Sequence, residues 1–320
     1  MRIWTIAVLC AALVGLALPA WPQAYPSRPI EFVVPFAAGG GSDLLARAIA
    51  KVMAEERLLP VPLTVTNRPG GSGAVGYSYV LSKRGDPYFL ATVSASFWTT
   101  PLVGQAPFTY KDFTPVAGLA SDVFLLVVRR ESTYRTLREV IEVARRSPEL
   151  ISVGGSAVAS DDRVATGLLQ RGAHIRLTYI PFGGSGPALT ALLGGHVSSA
   201  WMNPGEALEH LKANKVRALA VTAATRLKIL PDVPTFRELG YDIVWDQFRG
   251  VVMPPAVPAE AVRVMAEAFA KLCRSARWQR EYIEPNLLQP VCQGPEEFAK
   301  TLEAVNEKYR RVFQDLGLIK

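Results

Sequence analysis

The pattern of hydrophobic and polar positions along the chain changes repeatedly between two periods. Residues 30–34 form a short apolar run bounded by Pro29 and Pro35, which predicts a strand. Residues 44–53 place apolar side chains three or four positions apart, which predicts a helix. The same succession of strand and helix recurs until residue 222, and such alternation is typical of the α/β class.

The remaining predicted elements follow from the same two patterns. Strands are predicted at 61–66, 88–93, 113–119, 123–128, 151–153, 175–180, 197–202 and 216–222. Helices are predicted at 73–82, 136–146, 164–169, 188–193 and 206–213, with longer ones at 259–272 and 296–316. The stretch 246–250 interrupts the pattern, so no strand is expected before Val251.

Two glycine-rich segments each connect a predicted strand to a predicted helix. The first is residues 37–42 and the second is residues 181–187. Glycine has no side chain to hold a ligand away, and the first amides of a helix lack intrahelical partners. We therefore predict that both loops present amides to an anion in a common cleft. For the first loop a tight turn with Ser42 as helix cap remains an alternative.

The candidate ligand-binding residues lie in these two loops or directly after predicted strands, where open α/β sheets place ligands. They are Phe36, Ala38, Gly39, Gly40, Gly41, Ser42, Ser94, Ser96, Ser156, Phe182, Gly183, Gly184, Ser185 and Asn203.

The sequence offers little for catalysis or for a cofactor. Residues 71–76 have the spacing G-x-G-x-x-G, but no acidic residue ends the next predicted strand, so a dinucleotide site is not expected. None of the 3 histidines has zinc-ligand spacing, and no serine lies in G-x-S-x-G. We predict no cofactor and no metal, and a binding protein rather than an enzyme. A secreted hydrolase that uses a glycine-flanked serine is the alternative.

The N-terminal segment and the charge indicate where the protein acts. Residues 1–24 begin with a basic residue, continue with an apolar run and end in small residues, which predicts a cleaved signal peptide. The site of cleavage, after Ala20 or Ala24, stays open. The formal net charge of +7 is spread along the chain without an arginine-rich stripe, so a nucleic-acid partner is not expected. A small anion fits this composition.

Two cysteines, Cys273 and Cys292, remain after the predicted cleavage. An exported protein meets an oxidising compartment, so the pair could form a disulfide that closes a loop of about 20 residues. Two unbonded thiols, packed as small apolar side chains, are the alternative. The sequence leaves both open.

Six short motifs occur in order along nearly all of the predicted mature chain. They are Tyr-Pro-Ser-Arg-Pro-Ile at 25–30, Val-Pro-Phe-Ala-Ala-Gly-Gly-Gly-Ser-Asp at 34–43, Asn-Arg-Pro-Gly at 67–70, Pro-Ala-Leu-Thr-Ala-Leu-Leu-Gly-Gly at 187–195, Lys-Val-Arg-Ala-Leu-Ala-Val-Thr at 215–222 and Leu-Pro-Asp-Val-Pro-Thr at 230–235. In combination they closely resemble the Bug family, the periplasmic solute receptors of tripartite tricarboxylate transporters.

This resemblance implies a two-lobed α/β Venus-flytrap fold of type II, with a ligand cleft between the lobes. It also implies a periplasmic, monomeric receptor that binds a small organic carboxylate through the two glycine loops and delivers it to the membrane subunits of a transporter. A ligand-sensing receptor that is not coupled to transport is a further alternative. We expect residues 25–122 with 247–320 to form lobe I and residues 123–246 to form lobe II, with crossovers near Asp122 and Asp246.

The chain also departs from the family pattern. Phe182, Gly183 and Gly184 stand where the family commonly has Tyr-Lys-Gly, so a phenolic hydroxyl and an ammonium group are missing. Phe97 and Trp98 follow a predicted strand beside the expected cleft. They either favour a carboxylate with an aromatic or apolar body or belong to the core, as buried aromatic residues commonly do.

Overall fold

A computed structural model of the chain describes residues 25–319, so the predicted signal segment lies outside the described residues. The strands are β1 (Ile30–Val34), β2 (Leu63–Asn67), β3 (Phe89–Val93), β4 (Thr114–Val123), β5 (Leu125–Arg129), β6 (Ser152–Gly155), β7 (Thr178–Pro181), β8 (Ser199–Met202), β9 (Val216–Val221), β10 (Asp246–Met253) and β11 (Gln289–Gln293). They form two sheets.

The longer helices alternate with these strands. They are α1 (Gly41–Glu55), α2 (Ala74–Leu81), α3 (Ser96–Leu102), α4 (Leu137–Arg146), α5 (Asp161–Ala173), α6 (Ser185–Leu193), α7 (Pro204–Lys212), α8 (Ala259–Arg274) and α9 (Pro295–Asp315). Short helical turns occur at Gly71–Gly73, Tyr110–Asp112, Ala276–Trp278 and Gln279–Ile283.

The first sheet has 6 strands in the order β11-β4-β10-β3-β1-β2 and forms the centre of lobe I. β1 pairs in parallel with β2 and β3, whereas β10 lies antiparallel between β3 and β4. The side chains of Ile30, Phe32 and Val34 pack with α1 and α8 in one core cluster. Val33 faces the opposite side, so this parallel strand is covered on both faces.

The second sheet has 5 strands in the order β7-β6-β8-β5-β9 and forms the centre of lobe II. β6 pairs in parallel with β7 and β8, and β5 lies antiparallel between β8 and β9. Because β6 and β7 are parallel, their carboxyl ends, at Gly155 and Pro181, meet at one edge of the sheet. The second glycine loop leaves from that edge.

The chain passes between the sheets at two adjacent points. β4 ends at Val123 in the first sheet, and β5 begins at Leu125 in the second. The return path enters β10 at Asp246, which pairs with Val123. The two crossovers therefore lie side by side.

The prediction that residues 246–250 interrupt the strand pattern was wrong, because this stretch is the first part of β10. All of β10 pairs with β4, and Gly250–Val252 also pair with β3, so the strand is held inside the sheet despite its polar side chains. Arg249 is 1% exposed and forms an ion pair with Asp122 on β4. A partner on the neighbouring strand, invisible to local pattern, makes this arginine compatible with burial.

Helix α9 makes contacts with both lobes. Its Leu302 carbonyl accepts a hydrogen bond of 2.9 Å from the Trp98 indole in lobe I. The Tyr309 hydroxyl donates to Asp161 in lobe II over 2.6 Å. Phe97 and Trp98 are fully buried, so of the two interpretations of these aromatic residues the core one is correct.

The two cysteines are free thiols in the structure, which contradicts the disulfide alternative. Cys273 is buried near the end of α8, and Cys292 is exposed on β11. The pairing of β11 with β4 is irregular between Pro290 and Gln293, and within this irregularity the thiol of the exposed Cys292 lies close enough to Cys273 to affect the pKa of that thiol.

Candidate functional site

The first glycine loop leaves the Gly41 amide without a partner in its own helix, α1. The helix begins at Gly41, and Gly40 before it has extended backbone angles and provides no side-chain cap. The amides of Asp43 and Leu44 return to the Gly40 carbonyl over 2.9 and 3.0 Å. Ser42 is a buried residue within the first turn, so it is not the helix cap that the alternative interpretation proposed. The Gly41 amide consequently points out of the loop.

The carboxylate that directly follows this loop, that of Asp43, is neutralised locally. Asp43 accepts hydrogen bonds from Arg47 at 2.9 Å, from the Gly39 amide at 3.0 Å and from Asn67 at 3.0 Å. Burial alone would raise the pKa of Asp43, but these bonds outweigh it, led by that to Arg47, and hold the pKa below its usual value. Asp43 therefore fixes the loop and leaves the Gly41 amide to another acceptor.

The second glycine loop meets the first across the gap between the lobes. The Ala37 amide donates to the Gly183 carbonyl over 3.0 Å. Gly184 has φ of +147°, a backbone conformation that is essentially restricted to glycine. A Cβ atom there would lie 3.4 Å from the Ala37 amide nitrogen. This distance is an ordinary van der Waals contact, so the backbone angle and not a lack of space requires glycine here, and α6 then begins at Ser185.

The cleft between the lobes brings together ten of the fourteen candidate residues. Those that line it are Phe36, Gly40, Gly41, Ser42, Ser94, Ser96, Ser156, Gly184, Ser185 and Asn203. Phe182 and Gly183 border a neighbouring depression next to Gly71 and Val158. Ala38 and Gly39 lie outside the lining, and their backbone instead packs against Gly186 at the start of α6.

The sequence analysis missed several polar residues that line the same cleft. They are Ser160, Asp161, Asp162, Glu206, Gln247 and Arg249. One signal was present, because an asparagine followed three residues later by a glutamate, as at 203–206, is typical of a helix start. That signal predicts a helix cap, but it does not predict the contact of Glu206 with the Gly41 amide of the opposite lobe.

Arg249 joins the strands of the crossover to the cleft. Its Nε lies 2.9 Å from Asp122 Oδ2, and its Nη2 donates to Asn203 Oδ1 over 2.8 Å. The Asn203 side-chain amide in turn donates to the Val123 carbonyl over 2.9 Å. Burial raises the pKa of Asp122 despite the adjacent guanidinium. A Cβ atom on Gly41 would overlap this guanidinium, so the glycine is required at that position.

Glu206 reaches the first glycine loop from lobe II. Its Oε1 accepts hydrogen bonds from the Gly41 amide and, over 2.5 Å, from the Ser185 hydroxyl. Its Oε2 accepts from the Asn203 amide over 2.9 Å. Burial raises the pKa of Glu206 to about 7, against the opposing effect of these hydrogen bonds.

Two aspartates on α5 form the opposite wall. Asp162 accepts hydrogen bonds from both the amide and the hydroxyl of Ser156, each 2.5 Å long. Asp161 Oδ1 accepts from Trp245 and Tyr309, both over 2.6 Å, while its Oδ2 is buried without a partner among the described residues. Burial raises the pKa of Asp161 to about 7.

The lining of the cleft contains serine hydroxyls and carboxylates. Among the residues of 25–319 that line the cleft there is no histidine to act as a base for a serine. Within the same range, no group of three histidine, cysteine or carboxylate side chains is arranged to hold a metal ion. No helix in this part of the chain is long and apolar enough to cross a membrane.

Comparison with known proteins identifies relatives along most of the chain. A 244-residue stretch is 31% identical to Protein BugT of Bordetella pertussis strain Tohama I, covering 75% of this chain and 74% of BugT. The fold matches the periplasmic binding protein BugD with a TM-score of 0.87 at 25% identity, covering 92% of this chain and 100% of that one.

Two similar structures contain dicarboxylates. Rpa4515 of Rhodopseudomonas palustris with adipate has a TM-score of 0.85 at 28% identity, covering 92% of this chain and 98% of that one. MatC of the same species with malate has a TM-score of 0.82 at 25% identity, with coverage of 90% and 99%. The family sequence model described as tripartite tricarboxylate transporter family receptor matches residues 45–318 of this chain. This chain therefore belongs to the tripartite tricarboxylate transporter receptor family.

Proposed function

We propose that the protein is a periplasmic receptor that binds a small organic carboxylate in the cleft between its lobes. The observation that carries this proposal is the Gly41 amide, which opens into the cleft opposite Ser185 and already holds a carboxylate there, that of Glu206. A solute carboxylate has the same acceptor geometry. The adipate and malate bound by the two structural neighbours support this ligand class.

The solute would then pass to the membrane subunits of a tripartite tricarboxylate-type transporter. Membership of the receptor family supports this step. Release requires the cleft to open, and the paired crossovers at Val123 and Asp246 offer a hinge. The sheet membership of the strands supports a division into lobe I, residues 25–122 with 247–320, and lobe II, residues 123–246.

Thermal unfolding with a panel of carboxylates tests the proposal. Adipate, malate and the acids identified by native mass spectrometry of the purified protein would be added in turn. A ligand at 100 times its dissociation constant should add about 2.7 kcal/mol to the free energy of unfolding. The same acid should be recovered unchanged after long incubation. Chemical conversion of the acid, or stabilisation by none of the acids, would contradict a carboxylate receptor.

A further inference from the structure

One carboxylate in the cleft connects two helices of different lobes. Glu206 lies in the first turn of α7 and accepts the Asn203 amide ahead of that helix. Its other oxygen accepts the Gly41 amide, the first residue of α1 in lobe I. Helix N-termini attract negative charge through their unpaired amides and their dipole. The Glu206 carboxylate thus accepts hydrogen bonds from the N-terminal amides of two helices, α1 and α7.

The groups that Glu206 occupies are those that a solute carboxylate needs. The Gly41 amide and the Ser185 hydroxyl, which is 2.5 Å from Glu206 Oε1, both face the cleft. A Cβ atom on Gly40 would lie 2.8 Å from the Ser185 hydroxyl and 3.8 Å from Glu206 Oε1, so the three groups are adjacent. A solute carboxylate and Glu206 cannot both accept the same Gly41 hydrogen in this geometry.

The charges around Glu206 do not fully compensate its own. Arg249 on β10 faces it, but this guanidinium is already paired with Asp122 on β4. Tyr282, from the turn Gln279–Ile283, also faces Glu206 and is buried. Asp161 and Asp162 on α5 line the same cleft and add further acidic groups. Bringing the Glu206 carboxylate into this site consequently favours uptake of a proton.

We propose that Glu206 is an intramolecular ligand of the first glycine loop, which keeps the solute-free cleft closed and which a solute carboxylate must displace. The first half of this inference concerns the protein without solute. The second half rests on the function proposed above. Glu206 is in this sense a specificity-determining residue, because an acid binds only if it competes with the built-in carboxylate.

Small-angle scattering of solute-free protein tests the first half. Glu206→Ala should give a larger radius of gyration than the wild type, because the bridge between Gly41 and α7 is lost. Glu209→Ala is the matched control, since Glu209 lies on the same helix and pairs only with Lys212 at the surface. It should leave the radius unchanged. A Glu206→Ala protein that is folded by circular dichroism and as compact as the wild type would overturn the inference.

Measuring the radius of gyration over a pH series separates this role of Glu206 from a purely structural one, which predicts no change with pH. An acid whose pKa is raised in the closed state favours closure at low pH, and the effect is lost as pH rises through about 7. The radius of gyration of the solute-free wild type should therefore increase between pH 5 and pH 8. Glu206→Gln keeps an uncharged acceptor for the Gly41 amide and should have a weaker pH dependence than the wild type, leaving the part that comes from Asp161, which lines the same cleft and whose pKa is also raised to about 7. The same pH profile in wild type and Glu206→Gln would overturn the inference, and this variant also covers the case in which Glu206→Ala does not fold.

Calorimetric titration with acetate, adipate and malate tests displacement. If the internal carboxylate occupies the loop nine-tenths of the time, its removal should strengthen binding about 10-fold. Glu209→Ala should bind like the wild type. Weaker binding by Glu206→Ala would show that Glu206 assists the solute, contrary to the inference. Binding by neither protein would count against the carboxylate function alone, while the scattering result would still decide the role of Glu206 in closure.

Discussion

At the scale of single residues, the glycines of the two loops differ sharply in the space around them. A Cβ atom on Gly40 would meet the Ser185 hydroxyl at 2.8 Å, and one on Gly184 would meet Ala37. Gly183 has nothing within 4 Å of such an atom. The loops contain some glycines that the site requires and others that it does not.

Valine at the restricted positions should abolish tight binding. We expect Gly40→Val and Gly184→Val each to weaken carboxylate affinity by at least about 10-fold, equivalent to about 1.4 kcal/mol, because the branched side chain fills the anion subsite. Gly184→Val should also destabilise the fold by about 1–3 kcal/mol through its backbone angle. Gly183→Ala is the control and should bind normally. Calorimetry decides, and unchanged affinity in both valine variants would place the anion elsewhere.

Asp161 should make stability depend on pH. Burial raises its pKa to about 7. The stabilisation of the fold that comes from protonated Asp161 is therefore fully present below the ordinary pKa of an aspartate, and it is lost as the pH rises through about 7. Asp161→Asn removes this titration while keeping an acceptor for Trp245 and Tyr309. The stability of the variant relative to wild type should therefore rise from pH 5 to pH 8, by at most about 1.4 kcal/mol per pH unit.

Thermal unfolding at both pH values measures this effect. Asp242→Asn provides the control, because Asp242 is exposed and pairs only with Arg237 at the surface. Its stability relative to wild type should hardly change with pH. If Asp161→Asn behaves in the same way as this control, the Asp161 carboxyl does not titrate in the expected range.

The sequence predicted the glycine loops but missed Glu206, Arg249 and Asp161 in the cleft. Glycine runs between a strand and a helix are local signals, readable without knowledge of the fold. Glu206 matters because its helix points at a loop 165 positions earlier in the chain. Arg249 is explained only by Asp122, which is 127 positions away. Such partners are set by the packing of the lobes, which periodicity does not encode.

At the scale of elements, most strands and helices were predicted, with their ends displaced. α1 begins at Gly41, three residues before the predicted start, because glycine and serine carry no apolar signal although their backbone is already helical. α5 likewise begins at Asp161, capped by the Ser160 hydroxyl, and not at the predicted residue 164. Polar first turns are common at helix starts, so apolar periodicity places these starts too late.

The state of the cysteines is a prediction about elements, because Cys273 and Cys292 lie on α8 and β11. The structure has two free thiols, and burial together with the Cys292 thiol raises the pKa of Cys273, which disfavours its reactive thiolate. We expect two alkyl adducts in the intact mass of protein exported to the periplasm and alkylated under denaturing, non-reducing conditions. Absence of adducts would show that the bridge forms after all.

At the scale of the whole molecule, two separate sets of contacts join the lobes. α9 connects them at one side through Trp98, Leu302 and Tyr309. At the centre, the network of Asp122, Arg249 and Asn203 connects the crossover strands to the end of β8. When the cleft opens, the contacts of α9 must either stay intact or slide past one another. The network of Asp122, Arg249 and Asn203 meanwhile keeps the two crossover strands aligned.

The central network should dominate stability in a way that surface ion pairs do not. Arg249→Met leaves the buried Asp122 carboxylate without its partner, which should cost about 3–5 kcal/mol. With an unfolding entropy of about 2.1 cal/mol/K per residue, each kcal/mol lowers the melting temperature of a protein of about 295 residues by about 1.6 °C. The double variant Asp122→Leu with Arg249→Met replaces the pair by apolar side chains and should recover most of the loss. Arg237→Met breaks an exposed pair and should cost no more than about 1 kcal/mol. Equal losses in Arg249→Met and Arg237→Met, measured by thermal unfolding, would show that the buried pair is not what joins the crossovers.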